Sequence, residues 1–171
     1  MGRWRPPPPV SSKYITPEGK QRLEEELEFL WRKKRPEVTK ALSAAAAEGD
    51  RSENAEYIYR KKQLREIDAR VRFLKKRLEN MKVVGGVPDD TSRVFFGAWV
   101  TVEDDAGDEI LYRVVGPDET DFQKEFISMD SPIGKALMGK SLDAEVEVET
   151  PQGKKILYIV DIEYKTQNTQ E

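Results

Sequence analysis

Two carboxylates three residues apart, Asp50 and Glu53, are the side chains of this sequence best placed to do chemistry. They lie where one helical pattern ends and another begins, so a chain that reverses there displays them to the outside. Carboxylate oxygens suit Mg²⁺, but the ion prefers about six ligands, so this pair can only complete a coordination shell that another molecule has begun. The same spacing fits a capping box, with Asp50 or Ser52 capping the second helix and Glu53 answering Asp50. Both interpretations can hold together, because a capping carboxylate keeps a free oxygen.

The composition excludes most other catalytic chemistry. None of the 171 residues is His or Cys, which removes the usual general base, the thiolate nucleophile and the thiolate zinc site. Charged residues make up 36% of the chain, well above the roughly 25% of an ordinary globular domain, so we expect a long solvated element attached to a modest core. No apolar run approaches the roughly 18–20 residues of a membrane span, and the proline-rich start has no apolar core of a secretory signal. These features predict a cytoplasmic protein without a membrane partner.

A helical hairpin is expected to position the two carboxylates. The first helix begins at Thr16-Pro17-Glu18, where a hydroxyl cap precedes a proline and an acid, and Pro36 within it predicts a kink or a local bulge. The second helix carries an apolar seam with steps of 3 and 4 residues, made by Leu64, Ile67, Val71, Leu74, Leu78 and Met81. Because only a few residues around Gly49 separate the two patterns, we predict an antiparallel coiled coil about 45 Å long.

A glycine-rich stretch at residues 85–90 ends the helical pattern. A short helix is predicted after Asp130-Ser131-Pro132, with Ser131 or Asp130 as its cap, and alternation of period two predicts strands at 94–102, 109–115, 125–129, 144–149 and 155–163. The predicted fold class is therefore α+β: an N-terminal antiparallel coiled-coil hairpin followed by a small antiparallel-sheet domain with one short helix. The predicted divisions are a disordered proline-rich tail at 1–13, the hairpin at 14–84, a linker at 85–92, the sheet domain at 93–164 and a tail at 165–171.

Charge divides the chain at the same boundary. Residues 51–82 hold 11 Lys or Arg against 5 Asp or Glu, whereas residues 103–163 hold 6 against 16. A polyanion would therefore meet the hairpin rather than the sheet domain. The second helix carries four basic residues close together, Arg60, Lys61, Lys62 and Arg65. Arg51, which precedes this helix, is a further candidate for the same basic surface. They form either an ordinary solvated face or a phosphate-binding stripe, and a bound phosphate would offset the repulsion between like charges at this spacing.

The tip motif resembles that of a known family. Residues 49–57, Gly-Asp-Arg-Ser-Glu-Asn-Ala-Glu-Tyr, are similar to the hairpin-tip signature of the bacterial Gre transcript cleavage factors. Further segments resemble the GreB branch in particular, namely residues 31–32, 35–40, 61–62, 64–68, 94–100 and 127–132. The resemblance extends over about residues 14–164, so the proline-rich start stands outside it.

The resemblance implies both a fold and an activity. The sheet domain would have an FKBP-like shape, and the hairpin would enter the secondary channel of a backtracked bacterial RNA polymerase. Asp50 and Glu53 would help to hold a second Mg²⁺ and an attacking water in the active centre of the polymerase, with no metal bound by the free protein. The polymerase would then cut the nascent RNA 3′ segment, so the factor is expected to be an accessory protein and not itself an enzyme.

Two further surfaces take their expected roles from the same resemblance. The basic stripe would contact the RNA 3′ segment. The loop Asp130-Ser131-Pro132 would dock on the rim of the polymerase channel, with Phe122, Phe126 and Ile127 adding apolar contact or belonging to the core. We expect the free protein to be a monomer.

Three alternatives remain beside this interpretation. A regulator that occupies the channel without promoting cleavage would share the architecture, although the intact pair Asp50 and Glu53 argues against it. A prolyl isomerase is suggested only by the FKBP-like shape, and fold alone is a weak guide to function. A coiled coil that dimerises would be recognised by its mass in solution.

Overall fold

The computed structural model of the protein describes residues 10–49 and 53–165. The chain divides into two compact units. One is Glu18–Met81, and the other combines the N-terminal segment up to Pro17 with the chain from Lys82 onward. The division differs from the predicted one, because residues 14–17 and 82–84 join the sheet unit rather than the hairpin.

The first unit is the predicted antiparallel hairpin. Two ion pairs join its arms: the Arg70 Nε to Glu26 Oε1 distance is 2.7 Å and the Arg35 Nε to Asp68 Oδ1 distance is 2.8 Å. The residue number increases from Glu26 to Arg35 on the first arm and decreases from Arg70 to Asp68 on the second, as expected for antiparallel helices. The Asp68 contact raises the pKa of the Arg35 guanidinium, first through the hydrogen bond and then through the negative charge. The helical elements are α1 (Pro17–Phe29), a π-helical turn (Leu30–Lys34), α2 (Arg35–Ala47) and α3 (Ala55–Asn80).

The π-helical turn is the local bulge that Pro36 predicted. Proline lacks the N–H that an α-helix needs at this position, and the widened turn closes instead with the N–H of Arg35 donating to the carbonyl of Leu30. The apolar seam shows the same irregularity in its spacing. Leu23 and Leu30 are seven residues apart, and so are Val38 and Ala45, but Leu30 and Val38 are eight apart. The turn therefore absorbs one extra residue in an otherwise seven-residue repeat.

The seam of α3 packs against this arm as predicted. Ile67 and Val71 are buried together with Val38 of α2, and Leu27, Leu30 and Leu64 pack around them. Leu74 is also fully buried, whereas the last predicted member, Met81, follows the helix as its C-cap residue.

The second unit contains a five-stranded sheet made of β3 (Trp99–Asp104), β4 (Glu109–Val115), β5 (Phe126–Ser128), β6 (Glu145–Thr150) and β7 (Gly153–Glu163). The strands lie in the order β5-β4-β3-β7-β6. The predicted antiparallel sheet differs at one edge, where β4 and β5 pair in parallel. β3 also starts later than predicted, since the chain turns at Gly97, whose φ is +86°. The sheet is therefore mixed, with every other neighbouring pair antiparallel.

One face of the sheet forms the core of this unit. Val100, Val114 and Ile159 have no exposed surface, and the short helix α4 (Pro132–Leu137) covers them with Leu137. This single short helix follows the predicted loop 130–132.

The N-terminal segment is fastened to the sheet unit. β1 (Tyr14–Ile15) pairs in parallel with β2 (Lys82–Val83), and Ile15 is fully buried. The Glu119 carboxylate, only 4% exposed, accepts hydrogen bonds from the backbone N–H and the hydroxyl of Thr16. Gly116 completes this anchor, because a Cβ there would lie 2.0 Å from the carbonyl oxygen of Tyr14. In residues 10–49 and 53–165, no helix is both long and apolar enough to cross a membrane.

Candidate functional site

The hairpin tip is closed by Asn54. Its Oδ1 accepts a hydrogen bond from the N–H of Tyr57 at 3.1 Å, which caps α3, and its Nδ2 donates to the carbonyl of Ala45 at 2.7 Å. One side chain therefore satisfies a group at the end of α2 and another at the start of α3. α2 itself ends through Glu48 and Gly49, whose φ of +135° is available to glycine but strained for other residues.

The capping interpretation of the tip acids is wrong, because Asn54 occupies the cap position that Asp50 or Ser52 was expected to fill. Glu53 directly precedes this cap and is exposed. It makes no ion pair or hydrogen bond with another described residue. Asp50, Arg51 and Ser52 lie outside the described residues. The structure therefore shows one of the two predicted carboxylates, and it leaves that carboxylate open to solvent.

Two of the four basic residues predicted on α3 have acidic partners. The Nε of Arg60 lies 2.8 Å from Glu56 Oε1, and its Nη1 donates to Gln63 Oε1 at 3.0 Å. The Nζ of Lys62 lies 4.0 Å from Glu66 Oε1. These pairs reduce the repulsion that the sequence implied.

Lys61 and Arg65 differ from these two residues. Both are exposed, they lie one helical turn apart, and neither forms an ion pair with any residue in the described part of the chain. Arg72 and Lys76 continue the same face of α3, because the steps of 4, 7 and 4 residues return to one side of a helix. We call Lys61, Arg65, Arg72 and Lys76 the cationic stripe; its 15 residue steps cover about 22 Å. Arg72 and Lys76 were not predicted to belong to this surface, although they follow Arg65 at steps of 7 and 4 residues.

The predicted docking loop has its own internal bonds. Ser131 caps α4 by accepting the N–H of Gly134 at 3.0 Å, and its hydroxyl donates to the carbonyl of Ser128 at 2.6 Å, while Pro132 is the first residue of the helix. Asp130 is not the cap. Its Oδ2 accepts the N–H of Ser12 at 2.8 Å, and its Oδ1 accepts the hydroxyl of the same residue. The N-terminal segment therefore reaches the docking loop, which the sequence did not predict.

The tip carboxylate suits Mg²⁺ in its chemistry. An exposed carboxylate such as that of Glu53 offers the hard oxygen that this ion prefers. Among the residues that the structure describes, no group of three or more His, Cys, Asp or Glu could hold a metal ion.

Two family models match the chain, one over the hairpin and one over the sheet unit. The family model described as "Transcription elongation factor, N-terminal" matches residues 13–83, and the one described as "Transcription elongation factor, GreA/GreB, C-term" matches residues 89–164.

Individual relatives are similar over nearly their whole length. Transcription elongation factor GreB of Pseudomonas aeruginosa is 62% identical over 164 residues, which cover 96% of this chain and 98% of that protein. The GreB of Pasteurella multocida is 58% identical over 156 residues, which cover 91% and 99%. Among solved structures, GreA factor homolog 1 of Thermus thermophilus is 27% identical over 88% of this chain and 97% of its own, with a TM-score of 0.40.

The helical hairpin with its exposed tip acid and the sheet unit are thus the two parts of the chain that the family models match. The chain belongs to the GreA/GreB family of transcription elongation factors, and the curated relatives named above are all GreB proteins.

Proposed function

We propose that this protein stimulates the cleavage of nascent RNA by a backtracked bacterial RNA polymerase, with the hairpin tip inserted through the secondary channel. The observation that carries the proposal is the exposed carboxylate of Glu53 at the tip of an antiparallel hairpin. Because Asn54 caps α3, this carboxylate has no structural task among the described residues and is free for a ligand. The GreB relatives support the wider setting, since they are named as transcription elongation factors.

Asp50 and Glu53 are the residues that would hold Mg²⁺, together with ligands from the polymerase. When bound, the ion stabilises negative charge on the phosphoryl group and lowers the pKa of a bound water. The contribution of this chain is to carry the two carboxylates on a supported tip. The hydrolysis belongs to the polymerase, so the protein acts as an accessory factor and shares the metal.

Two other surfaces serve the same task in this proposal. The cationic stripe of Lys61, Arg65, Arg72 and Lys76 would bind the phosphates of the extruded RNA 3′ segment, with Arg60 and Lys62 beside it on α3. Arg51, which precedes the described part of this arm, would add a further contact. The support is that the four stripe residues form no ion pair with another described residue, so no carboxylate in the described part of the hairpin competes with a phosphate. The loop Asp130-Ser131-Pro132 would contact the rim of the channel.

The test uses a stalled elongation complex with 3′-labelled RNA. We expect Asp50→Asn and Glu53→Gln to remove most of the stimulated release of short RNA, while competition for polymerase binding stays near that of the unaltered protein. Glu48→Gln is the matched control, because Glu48 is an exposed acid at the end of α2. Its cleavage rate should remain unchanged.

Two results would contradict the proposal. Full cleavage by the double variant at limiting Mg²⁺ would remove the metal-binding role. If the unaltered protein binds polymerase and releases no RNA, the alternative of a channel-binding regulator without cleavage activity is correct.

A further inference from the structure

The first arm of the hairpin carries a shallow apolar groove where α1 meets the π-helical turn. The groove has a volume of about 270 Å³, and five residues line it: Glu25, Glu28, Phe29, Arg32 and Lys33. Phe29 is its apolar wall and is 51% exposed. A cavity of about 150 Å³ already holds a benzene molecule, so this groove has room for a phenylalanine ring. It can therefore bury an aromatic side chain of a partner against Phe29.

Phe29 differs from the neighbouring exposed aromatic residue, Trp31. The Trp31 ring is covered by two cations of its own chain, because Lys75 Nζ lies 4.6 Å and Arg35 Cζ lies 5.3 Å from the ring centroid. Phe29 has no such contact with a cation or a ring in the part of the chain that the structure describes. About half of its surface meets solvent and is available to a second molecule.

The order of charges reverses about Phe29. Four acids precede it, at positions 24, 25, 26 and 28, and four cations follow it, at positions 32–35. Two antiparallel copies of this segment place the acids of each copy beside the cations of the other. Two parallel copies would place like charges together, which is unfavourable. The segment is therefore complementary to itself in the antiparallel arrangement.

Contacts within the monomer account for part of this charge. Glu28 Oε1 lies 3.4 Å from Arg32 Nε, at the four-residue spacing that stabilises an isolated helix. Glu26 and Arg35 pair instead with residues of the other arm. These four side chains have a structural role without a second copy.

Glu25 and Lys33 are the charges of the groove that a second copy would pair. Glu25 accepts a hydrogen bond of 3.1 Å from the neutral amide of Gln21, and neither Glu25 nor Lys33 forms an ion pair with another described residue. Both side chains are exposed. Glu25 lies four residues before Phe29 and Lys33 lies four residues after it, so a two-fold axis at Phe29 brings each to the other.

We propose that this groove is a self-association surface, on which a second copy of the chain binds across a two-fold axis. The first arms of the two copies lie antiparallel, their Phe29 rings meet at the axis, and Glu25 of each copy pairs with Lys33 of the other. Because the interface is isologous, one kind of contact is made twice. The reversed order of charges favours a second copy over an unrelated protein, since self-pairing requires one segment to carry both halves of the pattern. The inference does not depend on the proposed function.

The dimer should be weak. One face of a single helical arm gives an interface at the low end of the size range, below about 1,200 Å². The protein is then a monomer when dilute, as expected from the sequence, and a dimer when concentrated.

Sedimentation equilibrium of the full-length protein measures this association. We expect the mean mass to rise from that of one chain toward that of two as the protein concentration increases, and to fall again in high salt, because salt screens exposed ion pairs. Phe29→Ala should weaken dimerisation at least about tenfold, as for an anchor at the centre of an interface. Phe122→Ala is the matched control, because Phe122 is a 92% exposed phenylalanine of the sheet unit, and it should leave dimerisation unchanged.

Exchanging the two charges tests the antiparallel geometry. Glu25→Lys and Lys33→Glu should each remove the dimer, because each variant alone places like charges opposite each other twice. A mixture of the two variants should dimerise, since both contacts between unlike copies then join opposite charges. The circular dichroism of the helices checks that each variant remains folded.

Three results would overturn the inference. The first is the mass of one chain at every concentration up to about 1 mM, which is the weak end of the affinity scale. The second is a dimer that Phe122→Ala weakens and Phe29→Ala does not, because association would then use another surface. The third is a mixture of the two charge variants that stays monomeric while the unaltered protein dimerises, which would exclude the antiparallel pairing.

Discussion

Replacing Asn54 tests how the hairpin holds its tip. Asn54→Ala removes two hydrogen bonds at once: the one that caps α3 at the N–H of Tyr57 and the one that the side chain donates to Ala45. Asn54→Asp is the matched variant. Aspartate caps helices about as well as asparagine, so it keeps the first bond and loses only the donor of the second.

The expected cost follows from those two bonds. Loss of an N-cap costs about 1 kcal/mol. Loss of the bond to Ala45 costs about 1 kcal/mol more, because the freed carbonyl stands at a helix end where water can reach it. For a chain of this length, about 2 kcal/mol corresponds to a fall in melting temperature of roughly 4–8 °C, and the single bond lost in Asn54→Asp to roughly 2–4 °C.

Urea unfolding, monitored by the circular dichroism of the helices, measures the free energy of unfolding. The stalled complex with 3′-labelled RNA measures the cleavage rate at a saturating concentration of the factor. We expect both quantities to decrease in the order unaltered protein, Asn54→Asp, Asn54→Ala. Competition for polymerase binding should stay constant, because the tip is remote in sequence from the loop Asp130-Ser131-Pro132. An Asn54→Ala protein that unfolds at the same urea concentration as the unaltered one would refute the capping role. Equal cleavage by a clearly destabilised variant would show that Asn54 does not orient the tip acids.

Three other perturbations follow from described contacts. Lys61→Glu with Arg65→Glu should flatten the log–log salt dependence of RNA-dependent binding by about 1.4 units, because each phosphate contact to a single strand contributes about 0.7. Asp130→Lys should raise the factor concentration for half-maximal cleavage without changing the saturated rate. Ser12→Ala should do so less, because it removes the hydroxyl bond to Asp130 and keeps the bond from the backbone N–H. Gly116→Ala should destabilise the sheet unit by at least about 2 kcal/mol, measured by urea unfolding, because the new Cβ would overlap a backbone carbonyl of the N-terminal segment.

Each of these predictions has a result that would contradict it. An unchanged salt slope would make Lys61 and Arg65 part of an ordinary solvated face. A loss of saturated rate in Asp130→Lys would assign the loop to a step after docking, and equal effects of Ser12→Ala and Asp130→Lys would mean that Asp130 acts by holding the N-terminal segment. Unfolding of Gly116→Ala at the same urea concentration as the unaltered protein would show that the segment can move aside without cost.

The periodic parts of the fold could be predicted because burial itself is periodic. The seam from Leu64 to Leu74 lies on the packed face of α3, where a seven-residue repeat has one consistent solution. The alternating pattern likewise located all five strands of the sheet. It could not give their direction, and β5 pairs in parallel although it was expected to be antiparallel.

The errors at the tip and at the N-terminus have different physical causes. Asp50, Ser52 and Asn54 all have side chains that cap helices, so propensity cannot rank them; Asn54 becomes the cap, and its amide can also donate to Ala45. The conformation of residues 12–16 depends on hydrogen bonds to Asp130 and Glu119, which lie more than 100 positions away in the sequence. No local pattern contains that information.

The π-helical turn at Leu30–Lys34 has a consequence for the direction in which the tip faces. One residue of an α-helix corresponds to about 100° of rotation about the helix axis. Because the π-helical turn accommodates one extra residue, the side chains of Arg35–Ala47 are rotated by about this angle from their positions in an uninterrupted α-helix. The direction in which the end of α2 faces is therefore set about a dozen residues before Ala47. Deleting one residue within the turn and replacing Pro36 should restore a continuous seven-residue repeat with the packing seam in phase. The same deletion within α2 would point the tip to another side, with every side chain there unchanged.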